Sequence, residues 1–153
     1  MFNIVLYQPE IPPNTGNIIR LCANTGATLH LVHPLGFVLS KKTLRRAALD
    51  YVDFATIKEH KNINECMRAI KKTRVFALST KGTVLYTKVD FKPNDTLLFG
   101  SETSGLPTEI LHKNYCLEVL RVPMVEKSRS INLSNTVAIV LYEGIRQLNN
   151  TLV

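Results

Sequence analysis

The strongest constraint on the fold is the run Val137-Ala138-Ile139-Val140-Leu141-Tyr142, which is too apolar for a helix with one wet face. A charged, hydroxyl-rich stretch from Val125 to Thr136 precedes it, and before that a short apolar segment is closed by Pro123. Strand, polar loop and apolar helix thus follow in order, and in α/β proteins such loops carry sites. Ser130, Asn132, Ser134 and Asn135 are good N-cap residues, because a side-chain oxygen accepts from the orphan amides of a first turn. Capping needs one of them, which leaves the others available. The helix, ending near Asn149, is expected to be covered by its own sheet on one side and by something outside on the other. For so short a chain a second copy is the natural cover. Gly144 would cost about 1 kcal/mol relative to Ala in a helix interior, and close approach of another backbone would explain it.

Upstream, strands and helices alternate. Phe2 to Tyr7 reads as a buried strand that Pro9, Pro12 and Pro13 cannot continue. A helix opens at Asn14-Thr15-Gly16-Asn17, carries Arg20 on a face with Asn17, and ends near Asn24-Thr25-Gly26. Then come a strand at Thr28 to Val32, a basic helix from about Lys41 to Leu49, and a strand at Phe54 to Ile57. Ile63, Met67 and Ile70 mark the apolar stripe of the next helix, which leads into a strand from Arg74 to Ser79. Tyr86 to Asp95 has no assignable element. Thr96 to Phe99 is a short core strand, Pro107 suits the first turn of a helix, and Leu117 to Val122 is the last strand. The fold class is therefore α/β, a mainly parallel sheet flanked by helices, with residues 1–153 forming one domain.

Composition narrows the function. At 45% hydrophobic and 20% charged the chain is an ordinary globular protein. No apolar run approaches the roughly 20 residues that span a bilayer, and Met1 leads into a strand without a basic leader, so a cytoplasmic location is expected. Cys22, Cys66 and Cys116 are odd in number and lack CxxC spacing, and His30, His33, His60 and His112 lack ligand spacing, so neither a disulfide nor a metal is expected. The formal net charge is +7, with basic clusters at residues 41–46 and 71–74. Without a membrane-binding helix beside them, RNA or DNA is the expected partner.

Three polar loops follow strands, after Ser79, Phe99 and Val122, and in a parallel sheet such loops gather at the carboxyl edge. Gly100 to Gly105 lacks the GK[ST] end of a Walker loop, and no GxGxxG or GxSxG occurs. Phosphoryl transfer, dinucleotide binding and serine nucleophile chemistry are disfavoured. What remains is a glycine loop carrying Glu102, opposite a loop carrying Arg129, serines and Asn132. Glycines let backbone approach a flat ligand, which points to a nucleoside-like molecule.

Three segments together go further. Pro12-Pro13-Asn14-Thr15-Gly16-Asn17 with Arg20 is the first, and Leu97 to Glu102 with Gly105-Leu106-Pro107 is the second. The third is Val122-Pro123-Met124 with Ser128-Arg129-Ser130-Ile131-Asn132-Leu133-Ser134. They resemble, over the whole chain, the three motifs of the SPOUT class of RNA methyltransferases, and most of all its small tRNA (cytidine/uridine-34) 2′-O-methyltransferases. The resemblance implies a C-terminal trefoil knot and a homodimer built through the C-terminal helix. It implies S-adenosyl-L-methionine as cofactor, with S-adenosyl-L-homocysteine as product and no metal, and cofactor contacts from Leu78, Gly100, Val122, Met124, Ser130 and Leu133. The implied substrate is the wobble ribose of leucine tRNAs, bound through the anticodon stem-loop, whose 2′-oxygen attacks the sulfonium methyl. Catalytic roles fall on Arg20, Ser130 and Asn132, and RNA-binding or site-shaping roles on Asn14, Asn17, Glu102, Lys127 and Arg129. A guanidinium holds its proton too tightly to act as a base at neutral pH, so Arg20 is better suited to clamp a phosphate and orient the hydroxyl. Another ribose in tRNA or rRNA, or a noncatalytic RNA-binding protein of the same fold, are the alternatives that the motifs leave open.

Overall fold

The computed structural model describes residues 1–40, 42, 51, 53–70 and 73–148. Seven strands, β1 (Asn3–Tyr7), β2 (Thr28–Val32), β3 (Thr56–His60), β4 (Val75–Leu78), β5 (Val84–Leu85), β6 (Thr96–Phe99) and β7 (Cys116–Arg121), form one sheet in the order β3-β2-β1-β6-β4-β7-β5. Every pairing is parallel. Strands covered on both faces need apolar residues at successive positions, and β1, β4 and β6 show this: Ile4, Val5, Leu6, Ala77, Leu97 and Leu98 are all fully buried.

Helices α1 (Pro12–Thr25) and α4 (Leu133–Gln147) cover one face, where Ile18, Ile19, Val140 and Leu141 join Ile4, Leu6, Leu97 and Phe99 in one core. Helices α2 (Ile63–Ile70) and α3 (Thr108–Leu111) cover the other, where Cys66, Ile110 and Leu111 meet Val5, Ala77 and Leu98. Gly26 ends α1 in the left-handed conformation, φ 67°, the expected glycine stop.

The differences from the sequence reading have identifiable physical causes. α1 begins at Pro12, with proline in its first two positions, where a missing N–H removes no helical hydrogen bond. β3 begins at Thr56 rather than Phe54, because the amides of Phe54 and Ala55 donate to the Tyr51 carbonyl at 3.1 and 3.2 Å instead of joining a strand. The stretch from Tyr86 to Asp95 holds a 3-10 turn (Tyr86–Lys88) and is fastened by a residue far away: Gln147 accepts from Phe91 N at 2.8 Å and donates to Val89 O at 3.0 Å. Phe91 is thereby buried edge-on against Phe2 and Phe76.

Gly144 packs against its own core. A Cβ there would stand 2.5 Å from Phe2 Cζ, so an aromatic ring of the same chain, not a second backbone, takes the space. Apart from Lys42, the expected basic helix from Lys41 to Leu49 lies outside the described residues, as do Lys71, Lys72 and Asn149. Arg74, from the second basic cluster, is engaged inside the fold: it donates from Nε and Nη2 to the two oxygens of buried Asp95 at 2.8 and 2.5 Å and from Nη2 to Asp90 O at 2.8 Å.

Candidate functional site

The chain segments leaving β1, β4, β6 and β7 meet at the carboxyl edge of the sheet around a cleft of about 560 Å³. Leu78, Ser79 and Lys81 form the β4 wall, Phe99 to Leu106 the β6 wall, and Val122, Met124 and Arg129 to Leu133 the β7 wall, while Ile11 and Asn14 approach from the start of α1. The residues that the resemblance assigns to the cofactor, Leu78, Gly100, Val122, Met124, Ser130 and Leu133, all line it, and so do Asn14, Glu102, Arg129 and Asn132. Arg20, Asn17 and Lys127 are exposed and do not.

The β6 loop is closed on itself. Gly105 donates to Ser101 O at 3.0 Å with φ 66°, and a Cβ on Gly100 would stand 2.1 Å from the Gly105 carbonyl carbon. Gly100 is therefore required by the loop's own backbone. Closure presents the Glu102 carboxylate to the start of α1, where it accepts from Glu10 N at 2.7 Å, Ile11 N at 3.1 Å and Asn14 Nδ2 at 3.2 Å. Thr103 adds a hydroxyl donated to Glu10 Oε2.

Asn132 is the N-cap of α4, its Oδ1 accepting from Ser134 N at 2.9 Å and Asn135 N at 3.3 Å. Its Nδ2 donates to Asn14 Oδ1 at 3.0 Å. One hydrogen-bonded line, Asn132 to Asn14 to Glu102 to the amides of residues 10 and 11, thus fixes three loops against one another. On the far wall, Ser79 N donates to Leu120 O at 2.9 Å, and a Cβ on Gly82 would stand 2.6 Å from the Leu120 carbonyl, so the turn after β4 is held tightly across β7. The sequence reading passed over Lys81, Ile11 and Thr136; for Lys81 the signal available was its place in the first of the three polar loops.

Arg20 stands on α1 with its Cζ 4.8 Å above the centre of the Tyr51 ring. Elsewhere, the structure brings together side chains that sequence spacing kept apart: ligand atoms of buried His30, His60 and Cys66 lie within 4.8 Å of one another. Their spacing is invisible in sequence because the pairing of β2 with β3 and the packing of α2 bring them together. His30 Nδ1 and His60 Nε2 are 2.9 Å apart, the ring planes differ by 14° and the centroids are 5.2 Å apart, so the rings face each other edge to edge along one line. This is the geometry of an N–H···N bond; a cation held by both would need the nitrogens to separate and their lone pairs to converge. Burial holds the His30 pKa down at about 4, assisted by the positive field of His60 and Lys58. Burial also pushes the Cys66 thiol up to about 12, far from a reactive thiolate.

The SpoU rRNA Methylase family matches residues 1–142. A tRNA (cytidine(34)-2′-O)-methyltransferase of Methylovorus glucosotrophus is 54% identical over 147 residues, covering 96% of each chain. A solved structure reported as giving insights into the 2-OH methylation of C/U34 on tRNA superposes with a TM-score of 0.92 at 42% identity, covering 98% of this chain and 97% of that one. An AdoMet-bound rRNA methyltransferase from Sinorhizobium meliloti superposes with a TM-score of 0.84 at 29% identity, covering 96% of this chain and 56% of that one.

Proposed function

This chain belongs to the SpoU rRNA Methylase family, and on that premise we propose that it methylates the ribose 2′-oxygen of cytidine or uridine 34 in tRNA, using S-adenosyl-L-methionine. The observation that carries the reading is identity of 54% along nearly the whole length of both chains, in a protein whose family motifs converge on one cleft. The leucine isoacceptors are the substrates to try first, and the cytoplasm is the site of action.

The cleft fits the cofactor. Its size lies within the roughly 300–1,000 Å³ of small-molecule sites. Apolar walls from Leu78, Phe99, Val122 and Leu133 suit a flat base, while Ser130, Arg129 and Glu102 supply polar contacts. The bound cofactor supplies an electrophilic methyl group, so the residues of this chain need only position the ribose and manage one proton. Asn132, Asn14 and Glu102 keep the three loops in register. Arg20 clamps a phosphate of the RNA and orients the hydroxyl, and that phosphate or water takes the proton. Lys127 and Arg129 contact the phosphate backbone, Asn17 shapes the RNA side of α1, and no metal takes part.

The fold reading includes a C-terminal trefoil knot. Its support is the strand order β4-β7-β5, which sends the turn at 79–82 across the end of β7 just where the chain departs for α4. A homodimer through α4 is supported by Ile139 and Tyr142, which stay 36% and 50% exposed on that helix. Among the described residues no helix is long and apolar enough to cross a membrane.

The test is transfer of labelled methyl from S-adenosyl-L-methionine to tRNA from cells lacking this protein, followed by nucleoside analysis. Label in 2′-O-methylcytidine or a 2′-O-methyluridine derivative at position 34 is expected; label elsewhere, or none with cofactor bound, refutes the assignment. Because Arg20 stands outside the cleft, Arg20→Ala is expected to abolish turnover and leave cofactor binding intact.

A further inference from the structure

We infer that Tyr51 is the positioning residue for Arg20, a ring platform that fixes the plane of the guanidinium while leaving its N–H edge free for RNA. This rests on the role given to Arg20 above. An arginine on an exposed helix face has a long, freely rotating side chain, and clamping a phosphate bidentately requires one orientation. Something must supply that orientation without consuming the donors.

A carboxylate would be the wrong neighbour, since it would occupy the same N–H groups that a phosphate needs. Among the described residues Arg20 has no such partner; it has the Tyr51 ring, with Cζ 4.8 Å from the centroid, inside the roughly 6 Å range of cation–π attraction. The attraction is to the face of the ring, and a guanidinium lying parallel to it keeps its five in-plane N–H groups available. The backbone that carries the ring is itself held. Tyr51 is half-buried, and its carbonyl accepts from the amides of both Phe54 and Ala55, in the turn that delivers the chain to β3. Arg20 stands on α1 and Tyr51 shortly before β3, so the contact joins two separate segments of the chain.

The experiment replaces Tyr51 in the full chain by phenylalanine, by mono-, di- and trifluorophenylalanine, and by leucine. Fluorination drains the ring face of negative charge with little change of shape, so a role in packing alone would be insensitive to it. Expected are kcat/KM for tRNA within about twofold for Tyr51→Phe, a stepwise fall along the fluorinated series, and a loss of about tenfold for Tyr51→Leu. Cofactor affinity and Tm should stay constant throughout. A readout independent of turnover is the Arg20 Nε–H proton resonance, shifted by the ring in the wild type and in Tyr51→Phe and unshifted in Tyr51→Leu. A flat fluorinated series with Arg20→Ala inactive overturns the role of Tyr51 alone. Full turnover by Arg20→Ala overturns the assignment of Arg20 instead. Should Tyr51→Leu fail to fold, the fluorinated series still decides.

Discussion

Asn132 donates to Asn14 at 3.0 Å across 118 positions of sequence, and through it the N-cap of the last helix is tied to the start of the first. Asn14 passes the connection to Glu102, so the loop after β6 is held by residues before α1 and, one step further, by the residue that opens α4. An asparagine suits both middle positions because it donates and accepts through one planar group. The two readings of Asn132 from sequence, helix cap and site residue, are one arrangement: capping orients Oδ1 and leaves Nδ2 to align the cleft.

Replacing Glu102 by glutamine tests that line. The amide would point an N–H₂ at one of three N–H donors that the carboxylate now satisfies, and an unsatisfied, partly buried donor costs about 1–3 kcal/mol. Chemical denaturation should register a loss of that size. Cofactor affinity, measured by calorimetry, should fall with it, whereas unchanged stability would mean that the loops are held by other contacts.

Legibility from sequence followed the range of the forces involved. β1, β4 and β6 were readable because a strand buried on both faces is apolar at successive positions, and Gly26 because a helix stop is a local backbone event. Tyr86 to Asp95 was not, since Gln147 holds it from the far end of the chain. The glycine at 144 was visible but its reason was not: the missing Cβ makes room for Phe2, 142 positions earlier (144 − 2). The loops around the cleft were readable from their place after strands, and the individual cofactor contacts only as a resemblance, because three short loops carry no periodicity of their own. His30 and His60 meet because β2 and β3 are neighbours in the sheet.

That histidine pair gives the protein an acid limit. Burial lowers both pKa values, that of His30 to about 4; Lys58 lowers both further, and Glu65 partly offsets the shift at His60. With a folded pKa below the unfolded value of 6.5, the unfolded chain binds more protons between the two, so stability is complete above about pH 6.5 and is lost as pH falls toward 4. A second proton would also set two N–H groups against each other. His30→Gln should flatten the acid limb of a Tm-against-pH profile; an unchanged slope would exclude the pair as its source.

Gly144→Ala should destabilise, against the usual gain for alanine in a helix. The propensity term favours the variant by about 1 kcal/mol, but its Cβ would overlap a fully buried ring, and overpacking costs about 1–3 kcal/mol. Phe2→Leu in the same chain removes the obstructing ring atoms and should recover part of the loss, a coupling that a double-mutant cycle would measure directly. Additive effects would place the strain elsewhere.

The outer face of α4 decides the assembly. Val137, Val140, Leu141 and Ile145 turn toward the sheet, yet Ile139 and Tyr142 remain substantially exposed on the same helix. The polar contacts of this stretch gather near its end, where Arg146 and Gln147 hold Glu143 and depress its pKa to about 2. If a second copy covers the apolar face, Ile139→Asp with Tyr142→Asp buries two like charges without partners there, which costs several kcal/mol and should yield a folded monomer by light scattering. A double variant that stays dimeric would move the interface off α4. A wild type that is monomeric at micromolar concentration would remove the dimer altogether.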